Sequence, residues 1–503
     1  MSIYQTATWL LTNLLLLLIA TLILIYIYTS RNYNYWKSKN VIHIKPVPVV
    51  GNLWAVVSGK AQVGMYLGEL YHKFKDEPYF GIYVLDKPYL VLRSPDIIKK
   101  VLIKDFRHFT NRNFGGDVKA DPLAANSLFI MKNPDWKSLR IMLTPTFTSG
   151  KMKLMLPIMN EYGKKLEKYA EKVEGQTVEI KDICTRYTTD LIASCAFGIE
   201  ANSFQDDFSG FRMVSKRLFT FSFFRGIKLF SYFFAPKLVA LCKLSFIDSL
   251  SAGFVRKVFS ETICSRKSTG ISRNDFVDLL IGIKESQKRD FDFDSDRMVS
   301  TALTFFTAGY ETTGSLIAFT LYELCMNPDV QTKLRKEILE KIEKHGNITY
   351  EAIQDMKYLN MVTSEVLRKY PFGPFLNRYC EEDYLIEETG LLIEKGVSIL
   401  VPLCGLHYDP THFPQPEKFD PDRFNEENKQ EIPSCLYMPF GEGPRNCIGD
   451  RFGLLSGKVG VIHILKDFAV EKCAETPFPL VLNPKSPFIA PIAGLPMKLV
   501  RVN

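Results

Sequence analysis

From Trp9 to Tyr28 the chain reads WLLTNLLLLLIATLILIYIY, a run of twenty residues without a charge. At a rise of about 1.5 Å per residue such a helix spans the roughly 30 Å of a bilayer's hydrocarbon core. A cleaved signal peptide is the competing reading, but no basic segment precedes the run and no small-residue cleavage site follows it. No Lys or Arg precedes the span, whereas Arg31, Lys37, Lys39 and Lys45 follow it, so the positive-inside rule places the bulk of the chain on the cytosolic side. Beyond it, Lys45-Pro46-Val47-Pro48 predicts a stiff hinge, because proline locks its own φ and pushes the preceding residue toward extended geometry. Strand patterns follow at Tyr79 to Leu85 and Tyr89 to Leu92, and helical periodicity dominates from about 155 to 370, with Met298 to Met326 the clearest stretch. Strand-like pieces return at Tyr384 to Ile393 and Val397 to Val401. No internal repeat is present, so the organisation predicted is an anchor over 1–30, a basic and proline-rich hinge over 31–52, and one mainly α domain with small β-sheets over 53–503.

One segment departs from ordinary periodicity. Between Phe204 and Phe234 stand ten phenylalanines, with Lys216, Arg217, Arg225 and Lys228 among them. Core packing of two helices explains them; so does insertion of Phe223 to Phe234 into the membrane interface beside the anchor.

Composition narrows the function classes. The chain has 503 residues, 46% of them hydrophobic and 23% charged, enough apolar surface for a large core and too much for wholesale disorder. The net charge of +8 is modest for this length and points away from nucleic acid. The ten cysteines form no CxxC pair and no disulfide frame, which fits reduced thiols in the cytosol. Seven histidines include no HExxH, which removes the zinc hydrolases. The single glycosylation sequon, Asn347-Ile348-Thr349, stays bare on this topology.

The chemistry concentrates near the C-terminus, in Phe440-Gly441-Glu442-Gly443-Pro444-Arg445-Asn446-Cys447-Ile448-Gly449 followed by an apolar helical pattern through about Asp467. Glycines let the loop turn sharply beneath a flat group, and a cysteine just before a helix has its thiolate favoured by the positive end of the dipole. GEGPRN also brushes against a dinucleotide-binding fingerprint, but it ends in Asn and no βαβ pattern surrounds it.

The run resembles the haem-binding loop FxxGxRxCxG of the cytochrome P450 family at Phe440, Gly443, Arg445, Cys447 and Gly449. The resemblance implies haem b (iron protoporphyrin IX) with Cys447 as the axial iron ligand and Arg445 paired with a propionate. An anionic sulfur pushes electron density through iron and favours O–O cleavage. Ala308-Gly309-Tyr310-Glu311-Thr312-Thr313 is similar to the family's oxygen-activation motif, which implies Thr312 as a hydrogen-bonding relay and Glu311 as its proton source, with Gly309 permitting a local opening for water and oxygen. The competing reading has Thr312 bonding back to its own helix. Glu365 and Arg368 resemble the family's ExxR and Pro421-Asp422-Arg423-Phe424 its PxRF, implying a buried structural network of Glu365, Arg368 and Arg423. Trp136 and Arg140 resemble WxxxR and, with Arg378 just after the ExxR helix, are implied propionate partners.

These matches extend from the hinge to the last strands. Two positions depart: KPVPVVGN stands where the family has PPGP, and Tyr310 is bulkier than in some relatives and is expected to point away from iron. The implied reaction is monooxygenation of lipophilic small molecules. No P-loop or flavin domain is present, so electrons from NADPH must arrive through another protein, on the family pattern the membrane-bound cytochrome P450 reductase, with cytochrome b5 as a further donor. Lys132, Lys137, Arg451 and Lys458 are candidates to steer an acidic donor, and a solvated charged face explains them equally. Apolar segments from Phe114 to Phe129, Phe305 to Ala308 and Phe372 to Leu376, with the Phe-rich region, are expected to line the substrate chamber. The pattern is similar to microsomal insect members that clear plant toxins and insecticides, which implies the endoplasmic reticulum membrane. An endogenous fatty acid or hormone is the alternative substrate class, and a haem-binding sensor without turnover, or a purely structural membrane protein without haem, the alternatives from other classes.

Overall fold

The computed structural model describes residues 3–206, 209–219, 222–273, 275–285 and 293–502. Helix α1, Ile3–Ser30, carries the uncharged run, and its large apolar side chains are exposed along its length. By length and composition it can cross a membrane.

The segment after α1, expected as a hinge, is pinned along its length. Strands β1, Tyr79–Val84, and β2, Lys87–Leu92, form an antiparallel hairpin with Tyr79 opposite Leu92. Trp36 inserts beneath that hairpin, donates Nε1–H to the Ile82 carbonyl at 3.1 Å, and lies against Gly81, where a Cβ would stand 2.4 Å from its ring. Arg31 pairs with Asp86 at 3.2 Å, and the Tyr33 hydroxyl donates to the Val47 carbonyl at 3.1 Å. The proline segment closes into a tight loop through Val47–Gly51 backbone bonds, and the Asn52 side chain holds it to Tyr83. Proline supplies the stiffness here, and docking removes the swivel.

The body is mainly helical. Helices α2, Asp135–Leu143, α3, Ser149–Lys172, and α4, Ile180–Phe197, precede the Phe-rich α5, Phe223–Phe234. The central α6, Ser295–Met326, is followed by α7, Lys357–Lys369, and by α8, Asp450–Leu465, which leads out of the cysteine loop. Helix α6 begins at Asp294, whose carboxylate accepts from the Arg297 N–H, and is buried over most of its length. Strands β3, Phe375–Tyr379, and β4, Ser398–Pro402, complete a sheet in the order β1-β2-β4-β3, with β2 parallel to β4 and β4 antiparallel to β3. The stretch Tyr384 to Ile393, read as one strand-like piece, is a hairpin of Tyr384–Ile386 and Leu391–Ile393 that turns at Gly390 with φ of +70°. A third small sheet joins Thr177–Glu179, Pro496–Arg501 and Phe468–Glu471.

The Phe-rich region divides its rings. Phe211 and Phe234 are buried in the core while Phe224 is exposed on α5; Phe208 and Phe221 lie outside the described residues.

Candidate functional site

The cysteine loop owes its shape to two left-handed glycines. Gly441 and Gly443 sit at φ of +72° and +74°, and a Cβ on Gly443 would stand 1.9 Å from the Leu102 carbonyl oxygen. The Cys447 N–H closes the loop on the Phe440 carbonyl at 2.8 Å, and Asn446 N–H bonds Gly443 at 3.0 Å. Gly449 lies between Cys447 and the first turn of α8, where its N–H favours the Cys447 thiolate. The Cys447 side chain keeps accessible surface although the protein around it is dense enough to desolvate the thiol.

Burial raises the Cys447 thiol above its ordinary pKa; the Gly449 N–H and the cations Arg140 and Arg112 pull in the opposite direction. In the chain alone desolvation outweighs these contributions. A cation at the sulfur would reverse that balance.

Helix α6 supplies a second wall. Thr304, Ala308 and Thr312 keep open surface on one face of this helix, as their spacing of four requires, and Phe305, Thr307 and Gly309 beside them are half-buried. The Thr312 hydroxyl donates to the Ala308 carbonyl at 2.5 Å. Gly309 does not open the helix to water: its missing side chain faces Ile192 of α4, where a Cβ would stand 2.5 Å from Cδ1, so this glycine permits close packing of two helices. Tyr310 is buried, stacks on Phe306 and packs on Phe219, and so belongs to the core. Glu311 is also turned aside, its Oε1 2.5 Å from the Lys181 ammonium of α4.

Four arginines converge beside the loop. Arg445 donates to the carbonyls of Thr110 at 2.7 Å and Met131 at 2.9 Å, and its guanidinium lies over Trp136. Arg140, four residues along α2 from Trp136, grips Asn446 through the backbone oxygen at 2.8 Å and the side-chain oxygen at 2.7 Å. Arg112, which no motif marks, donates to the Arg445 carbonyl at 3.2 Å and the Phe129 carbonyl at 3.0 Å. Arg378 on β3 is fully buried. Desolvation, then mutual repulsion, lowers Arg445 to about 8, Arg378 to about 9 and Arg112 to about 10.

This charge is poorly compensated within the chain. Glu381 is the one carboxylate among the main influences on Arg445, and Arg445 Nη1 and Arg378 Nε are buried with no hydrogen-bond partner. Buried cations with orphaned donors call for an anion. A flat group carrying two carboxylates, set between these arginines and the Cys447 sulfur, meets each requirement, so the residues present fit haem.

Behind the loop lies a buried ionic network. Arg368 makes a two-pronged pair with Glu365 at 2.7 and 2.8 Å and donates to the carbonyls of His407 and Pro416 at 2.8 and 2.7 Å. Arg423 approaches Glu365 at 3.5 Å. His407, unmarked in the sequence, bridges the network to the loop: its Nδ1 faces the Arg368 carbonyl at 3.2 Å and its Nε2 accepts from Met438 N–H at 3.1 Å. Burial lowers it to about 3, so it is neutral.

Among the basic residues expected on the donor-facing surface, Lys132, Lys137 and Arg451 are exposed. Lys458 is not: it is buried on α8, pointing at Asn360 Oδ1, and desolvation lowers it to about 8. Its place on the inner face of α8 removes it from any docking role. Arg112 and His407 were missed because neither stands in a recognisable spacing; only tertiary contacts mark them.

Comparison with known proteins agrees with this geometry. The cytochrome P450 family profile matches residues 43–497. Cytochrome P450 6k1 of Blattella germanica is 41% identical over 508 residues, covering 97% of each chain. Cytochrome P450 6j1 of the same species is 40% identical over 484 residues, covering 96% of each. Probable cytochrome P450 6g2 of Drosophila melanogaster is 36% identical over 510 residues, covering 97% of this chain and 98% of its own. With a glycine-shaped cysteine loop, an arginine cluster lacking its anions and relatives matched over nearly their full length, this chain belongs to the cytochrome P450 family, the haem b monooxygenases.

Proposed function

We propose that this protein oxidises lipophilic xenobiotics, such as plant toxins or insecticides, at the endoplasmic reticulum membrane. Its catalytic domain faces the cytosol and takes electrons from NADPH-dependent cytochrome P450 reductase, with cytochrome b5 as a second donor. The observation that carries the reading is the accessible Cys447 side chain beside arginines with orphaned donors. Haem, when bound, supplies oxygen activation and insertion.

The residues divide the remaining work. Cys447 ligates the iron through sulfur, held by the Phe440 carbonyl on one side and the Gly449 N–H on the other. Arg445, Arg378, Arg140 and Trp136 hold the propionates, and Arg112 joins them. Phe440, Gly443 and Gly449 shape the cradle. Thr312 holds a hydroxyl at the chamber wall, its proton on the Ala308 carbonyl until a better acceptor arrives. Glu311 delivers protons only when its pair with Lys181 parts, so Lys181 belongs to the same relay. Glu365, Arg368 and Arg423 support the loop from behind. Aromatic rings at Phe114, Phe129, Phe147 and Phe305 make the chamber suited to apolar ligands: Phe114 stacks on Phe129 and Phe147 on Phe305, each at 5.0 Å.

Reconstitution with reductase in lipid tests the reading. NADPH-dependent products from lipophilic toxins are expected, together with the red-shifted Soret band of a reduced, carbon monoxide-bound thiolate haem, lost in Cys447→Ser. Turnover confined to fatty acids would replace the substrate class, and a persistent band in Cys447→Ser would remove the ligand assignment.

A further inference from the structure

A cavity of about 250 Å³ opens on the surface between α3 and the loop that leaves α4, separate from the haem chamber. Its α3 wall carries Lys165, Lys168 and Lys172, and the spacing of three and four sets all three on one helix face. Two acids of α3 are committed elsewhere: Glu167 to His463 and Lys466, Glu171 to Arg501. Neither Lys168 nor Lys172 has an ion-pair partner among the described residues. Lys165 is drawn to Glu161 at 3.6 Å.

The opposite wall is built rather than loose. Asn202 turns the chain at φ of +52°, and Ser203 is locked at both ends, its N–H on Asp190 Oδ1 at 2.8 Å and its carbonyl on Arg186 Nη1 at 2.7 Å. This turn presents Phe204 beside Tyr169 of α3, with ring centroids 5.4 Å apart and planes inclined by 46°. At the floor lies Asp190, a buried carboxylate.

An aromatic wedge with paired ammonium groups at its rim selects a flat ring that bears an anion, while the buried Asp190 holds the Ser203 turn that forms the opposite wall. We propose that this cavity binds a planar aromatic anion of the nucleoside monophosphate type, with the ring against Tyr169 and Phe204 and the phosphate on Lys168 and Lys172. A ring alone or an anion alone satisfies only part of the site.

Calorimetric titration of the full-length holoenzyme in detergent with adenosine 5′-monophosphate tests this. Saturable binding is expected with no change in the Soret band, and weaker binding of adenosine and of pyrophosphate. The double variant Lys168→Glu, Lys172→Glu should weaken binding roughly tenfold or more, as loss of charge-assisted contacts does. Phe204→Ala should weaken it too, while Lys164→Glu, on the same helix but outside the cavity, should not. Absence of saturable heat at millimolar ligand overturns the proposal. So does pyrophosphate binding as tightly as the nucleotide, which would leave only an anion patch, or a Soret shift that survives the double variant, which would place the nucleotide at the haem.

Discussion

The guanidinium of Arg445 lies 4.1 Å from the centroid of the Trp136 ring, with Nη1 buried and unpartnered. One residue comes from the cysteine loop and the other from α2, so their contact joins the two segments across the arginine cluster. It is also a place where the chain by itself leaves a buried donor without an acceptor, and that has consequences of opposite sign for the apoprotein and the holoprotein.

Arg378→Met should separate those consequences. Arg378 is wholly buried with an orphaned Nε, and removing it relieves both the unmade bond and its repulsion with Arg112. Thermal melts of the haem-free protein should show a gain of about 1 kcal/mol, the cost of an unsatisfied buried donor. The holoprotein should instead lose haem more readily, read as faster transfer to an acceptor globin. Equal destabilisation of both forms would contradict the cluster's role.

Breaking the buried network from one side should be severe. Glu365→Ala leaves Arg368 buried with no carboxylate, which costs about 3–5 kcal/mol. Chemical denaturation should show that loss, together with a reduced fraction of folded holoprotein. The double variant Glu365→Gln, Arg368→Met should recover part of it, since the fully buried cation is gone and only Arg423 loses its carboxylate.

Gly443→Ala should abolish the cysteine loop's shape. The residue sits at positive φ and its Cβ would overlap the Leu102 carbonyl, with backbone on both sides of the clash. The expected outcome is a protein of ordinary helix content by circular dichroism that fails to give the thiolate-haem spectrum.

His407 predicts a pH dependence. Its folded pKa, about 3, lies below its ordinary 6.5, so the unfolded chain takes up a proton that the folded chain refuses. Its neutral form therefore adds stability above about pH 6.5, and that contribution falls as pH drops toward about 3. The slope in this window is one proton, about 1.4 kcal/mol per pH unit. Comparing wild type with His407→Gln by denaturant melts between these limits should show a shallower loss in the variant.

The Trp36 slot offers a test of how the anchor meets the domain. Gly81→Ala places a methyl in the Trp36 ring and should cost about 1–3 kcal/mol through overpacking. Proteolysis should then cut between the anchor and residue 52 more readily than in the wild type, with the haem spectrum intact.

Much of this protein is determined locally. An uncharged run of twenty residues is long enough for a bilayer whatever follows it, and a glycine-rich turn before a helix specifies a cysteine loop through backbone sterics alone. The helical span of α6 and the strands at Tyr79 and Tyr89 follow from periodicity, because each buries one face or a continuous apolar run. What spacing could not carry is direction and partnership. Glu311 and Thr312 are adjacent in the chain but lie about 100° apart on the helix, so one meets Lys181 while the other keeps the chamber. Gly309 reads as an opening in sequence and is a packing contact in space, because whether missing volume holds water or a neighbour depends on what α4 brings there. Lys458, a surface cation by composition, is buried because α8 turns that face inward. Arg112 gains its place through Arg445, 333 positions away, and His407 through Arg368 and Met438, 39 and 31 positions away on other elements. Charges act through space, and only the folded chain decides which of them meet.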